Sequence, residues 1–305
     1  MKIGIPRALM YYRYGTLWET FFHELGAETV LSPETNKQIM DAGDRYAIDE
    51  NCLSTKLFFG HVAALEHLCD TVFIPRLAST KNAGLFCTRF EGLYDTSMAV
   101  FRDRDLLFLT CNVDPIQNSP AEKAYTQLGM SLGASKQEAL AAYKKGLAAQ
   151  KNALERRIAE QDALFHTGDT RILVVGHGYN LHDEYIGAPI VRTIASLGVI
   201  PLLSDAVDPR VARAKSTQLC EHVPWTVNRE LLGSVVHYRD RIDGIVLVTA
   251  FPCGPDSMTN EMIIRRVRDL PVLTLIMDAQ SGIAGVETRL ESFIDIIRFR
   301  KGVRV

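Results

Sequence analysis

The chain reads as an α/β protein of two Rossmann-like parallel-sheet domains joined by a helical linker. Three observations predict this. Short apolar strands alternate with amphipathic helical stretches, the pattern of parallel βαβ units. One supersecondary unit occurs twice, as "KIGIPRALMYYRYGTLWETFFHELGAETVLSP" (2–33) and "RILVVGHGYNLHDEYIGAPIVRTIASLGVIPLLSD" (171–205). Between the two lies an Ala-, Lys- and Glu-rich stretch with helical periodicity. The expected divisions are 1–118, a linker over 119–168, and 169–305.

The elements follow in order. Each copy of the repeated unit reads as a short apolar strand, a polar or aromatic loop, an amphipathic helix, a glycine turn and a second strand. Leu25-Gly26 and Leu197-Gly198 place glycine where a helix should end. In the first half a helix over 53–68 and a strand over 70–79 come next. The stretch from Ala121 to Gly168 is read as linker helices. The second half continues with a helical region near 209–239, a strand over 242–251 ("IDGIVLVTAF") and another over 270–278 ("LPVLTLIMD"). "GVETRLESFIDIIRFR" closes the chain as an amphipathic helix.

The chain has 305 residues, 47% hydrophobic and 23% charged, enough to bury a full core. A net charge of −2 offers no electrostatic basis for nucleic acid or an anionic membrane as partner. "MKIGIPRALMYYRYG" lacks the apolar stretch and small-residue cleavage site of a signal peptide, and no apolar run approaches the roughly 18 residues of a membrane span. A cytoplasmic location is expected.

In a cytosol thiols stay reduced, so the six cysteines, at 52, 69, 87, 111, 220 and 253 and without a CxxC pair, are candidates for ligation or catalysis rather than disulfides. Cys52, in "AIDENCLSTKLFFGHV", stands at the expected start of a helix. Cys253, in "AFPCGPDS", lies between a strand and a helix, with Asp256 and Ser257 as candidate caps. Cys87, in "GLFCTRFEGLYD", lies in a loop-like stretch. Unpaired N–H groups and the dipole at a helix start favour negative charge and suit a thiolate. Open α/β sheets bind ligands at the carboxyl ends of their strands, so the three thiols are expected at one cleft at the domain interface. Burial in the core is the competing reading for any single cysteine. Cys69 fits a helix end, Cys220 an amphipathic helix, and Cys111 is ambiguous.

Other chemistries lack their motifs: the sequence holds no GxxxxGK[ST], GxGxxG, HExxH or GxSxG. Lys56, one turn after Cys52, is a candidate positive charge at the site, or an ordinary solvated lysine. His61 lies on the far side of the same helix from Cys52. "HGYNLHDEYIG" (177–187), with His177, Tyr179, Asn180 and Asp183, is a candidate site-edge loop, Tyr179 and Asn180 its candidate lining residues, or a plain polar connection. Arg7 and Arg76 end equivalent strands, facing an anionic ligand or pairing within the fold.

The stretches "KIGIPRAL", "ENCLSTKLFFGHVAAL", "VFIPRLAS", "FCTRFEGLYD", "FPCGPDS" and "GVETRLESFID" occur in this order. Together they make the chain resemble the 2-hydroxyacyl-CoA dehydratase-like family, in particular its short activase-related proteins, similar to the D component of 2-hydroxyglutaryl-CoA dehydratase. The resemblance covers nearly the whole chain and is least distinctive over about 115–168.

What the resemblance implies is a [4Fe–4S] cluster held by Cys52, Cys87 and Cys253 with one iron open. For the true dehydratases it implies reductive chemistry: a separate ATP-dependent activase injects one low-potential electron, which passes to a thioester carbonyl and expels hydroxide from the ketyl radical. It also implies a homodimer. This chain departs from the family at Tyr94, within Gly92-Leu93-Tyr94-Asp95 where relatives tend to read Gly-Leu-Pro-Asp, and at Ala279, where they commonly carry Glu after Asp278. Three readings stay open: reductive catalysis on a small, acyl-CoA-like substrate; a non-catalytic iron–sulfur electron carrier, scaffold or accessory subunit; and a zinc site on the same fold. A double-cubane cluster would need all six thiols.

Overall fold

The computed structural model describes residues 1–81, 84–166, 170–279 and 283–302. The chain forms two compact units, and the Rossmann-like α/β fold expected from the sequence is observed in each. The first comprises Met1–Asp49, Thr55–Leu154 and Pro224–Thr226; the second comprises Glu50–Ser54, Glu155–Val223 and Val227–Val305. The boundary expected at 168/169 lies outside the described residues.

In the first unit the order is β1 (Lys2–Ile5), α1 (Tyr11–Glu24), β2 (Glu28–Leu31), α2 (Lys37–Tyr46), α3 (Leu53–Ala63), β3 (Thr71–Phe73), β4 (Arg76–Leu77), α4 (Thr88–Val100), β5 (Phe108–Leu109), β6 (Asn112–Val113) and α5 (Ala121–Ser131). The four-stranded sheet has the order β2-β1-β3-β5, and β4 pairs with β6 apart from it. All of these pairings are parallel. Pro75 divides the strand expected over 70–79 into β3 and β4, because proline donates no ladder hydrogen bond.

The second unit takes up the chain within α6 (Lys136–Ala163). It continues with β7 (Arg171–Val175), α7 (Gly178–Leu181), α8 (Ala188–Ser196), β8 (Ile200–Leu203), α9 (Pro209–Ser216), α10 (Thr226–Tyr238), β9 (Gly244–Ala250), α11 (Gly254–Arg266), β10 (Val272–Met277) and α12 (Ile283–Arg300). Its sheet order is β10-β9-β7-β8, all parallel. In both sheets the first strand therefore lies between the second and the third. The crevice at their carboxyl ends is the topological switch point, where such sheets bind ligands.

The local reasons are legible in both copies. Gly26 and Gly198 adopt φ of +74° and +72°, a left-handed turn that costs glycine little. Ala27 N–H and Val199 N–H then reach back to Phe22 O and Ile194 O, closing α1 and α8 alike. The first core buries Ile3 and Ile5 of β1 and Trp18, Phe21 and Phe22 of α1, with Trp18 and Phe22 edge-on to the Phe73 ring and Trp18 Nε1 donating to Tyr125 Oη at 2.7 Å. In the second, every residue of β9 is buried, as its central place requires. Among the described residues no helix is long and apolar enough to cross a membrane.

Candidate functional site

Three segments of the second unit meet at its switch point. The first is the stretch that enters α3, from Cys52 to Ser54: Leu53 N–H donates to Phe251 O at 2.9 Å, joining it to the loop after β9. From the same stretch, Ser54 Oγ donates to Asn180 Oδ1 of α7 at 2.7 Å. The third link runs from the β7–α7 loop to α11, where His177 Nε2 lies 2.6 Å from Asp256 Oδ1. Cys52 and Cys253 occupy two of these segments, and Tyr179 stacks on the His177 ring at 4.8 Å.

The polar groups here are deeply buried. His177, Asn180 and Asp256 are 5%, 0% and 2% exposed. Asp256 Oδ1 also accepts from Asn228 Nδ2 at 2.9 Å, and that amide reaches Thr259 Oγ1 at 3.0 Å. Asp256 is therefore a buried acceptor rather than the cap its position suggested; burial makes two side-chain donors worth more to a carboxylate than a helix end open to water. A neighbouring cluster supports α7: Asp205 Oδ2 accepts from Arg157 Nη2 at 2.5 Å and lies 2.8 Å from His182 Nε2. Burial alone would raise the Asp205 carboxyl. The His182 charge and hydrogen bond, joined by Arg157, overcome this and hold it well below the usual carboxylate range.

Cys87 lies in the first unit as the residue before α4. Phe86 N–H donates to Ala78 O at 2.9 Å, anchoring its loop beside β4. Arg76, from β4, pairs with Asp95 and lies over the Tyr94 ring at 4.7 Å. The departure at Tyr94 thus gives this guanidinium an aromatic face. Arg7 likewise pairs with Glu34, at 3.1 Å. Lys56 is held by Asp44 at 2.9 Å.

The remaining thiols have other surroundings. Cys69 packs on Gly4, where a Cβ would come within 2.5 Å of its Sγ. Cys111 is buried, and burial pushes its thiol up to about 12 against a hydrogen bond from Tyr125. Cys220 lies past the end of α9, not on a helix as its spacing suggested, with its Sγ 3.7 Å from His222 O. Among the described residues no disulfide joins these cysteines, and no three His, Cys, Asp or Glu side chains are gathered to hold a metal ion.

The fit of the implied cluster is therefore tested on donor chemistry. Cys52, Cys87 and Cys253 each immediately precede a helix, at Leu53, Thr88 and Gly254. First-turn amides without intrahelical acceptors favour an anionic sulfur. Soft thiolates are the ligands iron–sulfur clusters take, so the donor set fits.

No curated protein matches the chain. Solved structures align over nearly its full length at low similarity. An FpvC mutant from Pseudomonas aeruginosa shows 13% identity over 98% of both chains, with a TM-score of 0.27. The laminin-binding protein Lbp of Streptococcus pyogenes shows 12% identity over 96% of this chain and 97% of its own, with a TM-score of 0.25. Neither likeness carries an argument about this protein. The family described as "CoA enzyme activase uncharacterised domain (DUF2229)" matches residues 2–207, a span that includes Cys52 and Cys87 and stops before Cys253. Covering well over half the sequence, that match shows that the chain belongs to the CoA enzyme activase uncharacterised domain family.

Proposed function

We propose that this chain is an iron–sulfur protein of the 2-hydroxyacyl-CoA dehydratase type, in which Cys52, Cys87 and Cys253 hold a [4Fe–4S] cluster. One observation carries the reading: of six cysteines, the three that the resemblance names are the three that directly precede helices. When bound, such a cluster supplies a low-potential electron and an open iron for reductive chemistry on a small, acyl-CoA-like substrate. The chain's own part is to keep the sulfurs anionic with helix N-termini and to shield them in half-buried loops. Membership of a CoA-activase-related family supports a separate ATP-dependent activase, or another low-potential donor, as partner. We place the protein in the cytoplasm, where its thiols stay reduced.

The test is iron and acid-labile sulfide content after anaerobic purification, with EPR of the reduced protein. About four irons per chain, lost in Cys52→Ala, Cys87→Ala and Cys253→Ala alike, supports the ligand set. Protein that stays iron-free after reconstitution, or that carries zinc instead, overturns it.

A further inference from the structure

The polar cluster of the second unit has a use that needs none of the thiols. We propose that His177, Asn180 and Asp256 form a binding site for an uncharged amide group on a small ligand, closed in the state described above.

Three atoms carry this: His177 Nδ1, Asn180 Nδ2 and Asp256 Oδ2 are fully buried and have no hydrogen-bond partner. An unmet buried polar atom destabilises the fold, so three in one cluster mark a place where stability is traded for something else. Their roles are set by their other bonds. The Ser54 hydroxyl holds Asn180 Oδ1, which leaves the Nδ2 donor unmet. His177 Nε2 and Asn228 Nδ2 both hold Asp256 Oδ1, which leaves the Oδ2 acceptor unmet.

The missing partner must accept from Asn180 and donate to Asp256. An amide does both, through its carbonyl oxygen and its N–H. A carboxylate has no donor and is repelled by the Asp256 charge; an ammonium leaves Asn180 unsatisfied. Because all three atoms are sealed from solvent, binding requires the 176–183 segment to open, and hydrogen exchange reports that opening.

The experiment takes the full chain and measures binding and hydrogen exchange over 176–183 with propionamide, propionate, 1-propanol and pantetheine. Propionamide is expected to bind and to slow exchange there, 1-propanol to bind more weakly because one hydroxyl oxygen must serve both Asn180 and Asp256, and propionate to do neither. Pantetheine carries two secondary amides. Tighter binding of pantetheine assigns the site to a CoA arm, and tighter binding of propionamide to a carboxamide on an acyl chain. Asn180→Leu is expected to weaken propionamide at least tenfold. Should that variant fail to fold, Ser54→Ala, which releases the Asn180 amide, is expected to weaken it several-fold. Equal binding of the three small probes overturns the proposal. So does unchanged affinity in the folded variants, or a crystal structure at saturating propionamide with an ordered water alone bridging the three atoms. None of these outcomes depends on iron content, so this site and the thiol site fail separately.

Discussion

At the scale of single residues, buried titratable groups set how the protein responds to acid. His61 is fully buried between Ser32 Oγ at 2.8 Å and Thr35 Oγ1 at 2.9 Å. Arg7 N–H donates to the same Ser32 hydroxyl, which frees that hydroxyl's proton for His61 Nδ1. Burial, aided by the Arg7 charge, lowers the ring to about 3. Unfolded histidine titrates near ~6.5, so the unfolded chain binds a proton that the folded one refuses, and stability falls as pH drops from there toward 3. Denaturant titrations at pH 7, 5 and 4 are expected to show this loss, and His61→Gln to flatten it. Asp205 works on a lower window. Its depressed carboxyl contributes stability above the unfolded value near ~3.9, lost as pH falls through its folded value. Asp205→Asn is expected to cost about 2–4 kcal/mol at neutral pH by stranding Arg157 and His182. That gap should narrow below pH 4; a gap that stays constant would sink the assignment.

At the scale of elements, helices α2 and α3 approach through two glycines. A Cβ at Gly43 would lie 2.1 Å from Lys56 O, and one at Gly60 would lie 2.0 Å from Ile39 O. Each helix thus presses a glycine against the other's backbone, which cannot yield as a flexible side chain can. Alanine in an exposed helix gains stability over glycine by roughly 0.5–1 kcal/mol. Here Gly60→Ala is expected to lose at least about 2 kcal/mol, measured by urea unfolding. A stabilised variant would show that the helices part easily. The two repeated units and the later strands were legible beforehand, since apolar periodicity and glycine stops are local, whereas α2 was not read at all and the start of α4 was read as loop. Breaks were less so: one helical region near 209–239 resolves into α9 and α10, with Pro224 in the intervening stretch. The two-residue β5 was too short to carry a period. An edge contact was also out of reach. The Gln161 amide donates to Leu203 O at 3.0 Å and accepts from Leu203 N–H at 2.7 Å, supplying β8 with a partner where the sheet ends.

At the scale of the molecule, two sheets share one strand order within separate units. This predicts a gradient of protection. In the second unit β9 is central and buried throughout, so its amides should exchange most slowly, and those of edge strands β8 and β10 faster. Hydrogen exchange by mass spectrometry checks this; a β9 peptide exchanging as fast as β8 would mean the core is elsewhere. The amino-acid sequence by itself determined the α/β class, the repeated unit and its glycine turns, and which loops carry Cys52, Cys87 and Cys253, because these depend on neighbours a few residues apart. Only the tertiary structure decided that Ser54 meets Asn180, that His177 meets Asp256, and that Asp256 abandons its helix end for Asn228. Those partners are 28 to 126 residues apart in the chain. Their pairing follows from strand order and burial, which no local pattern of residues encodes.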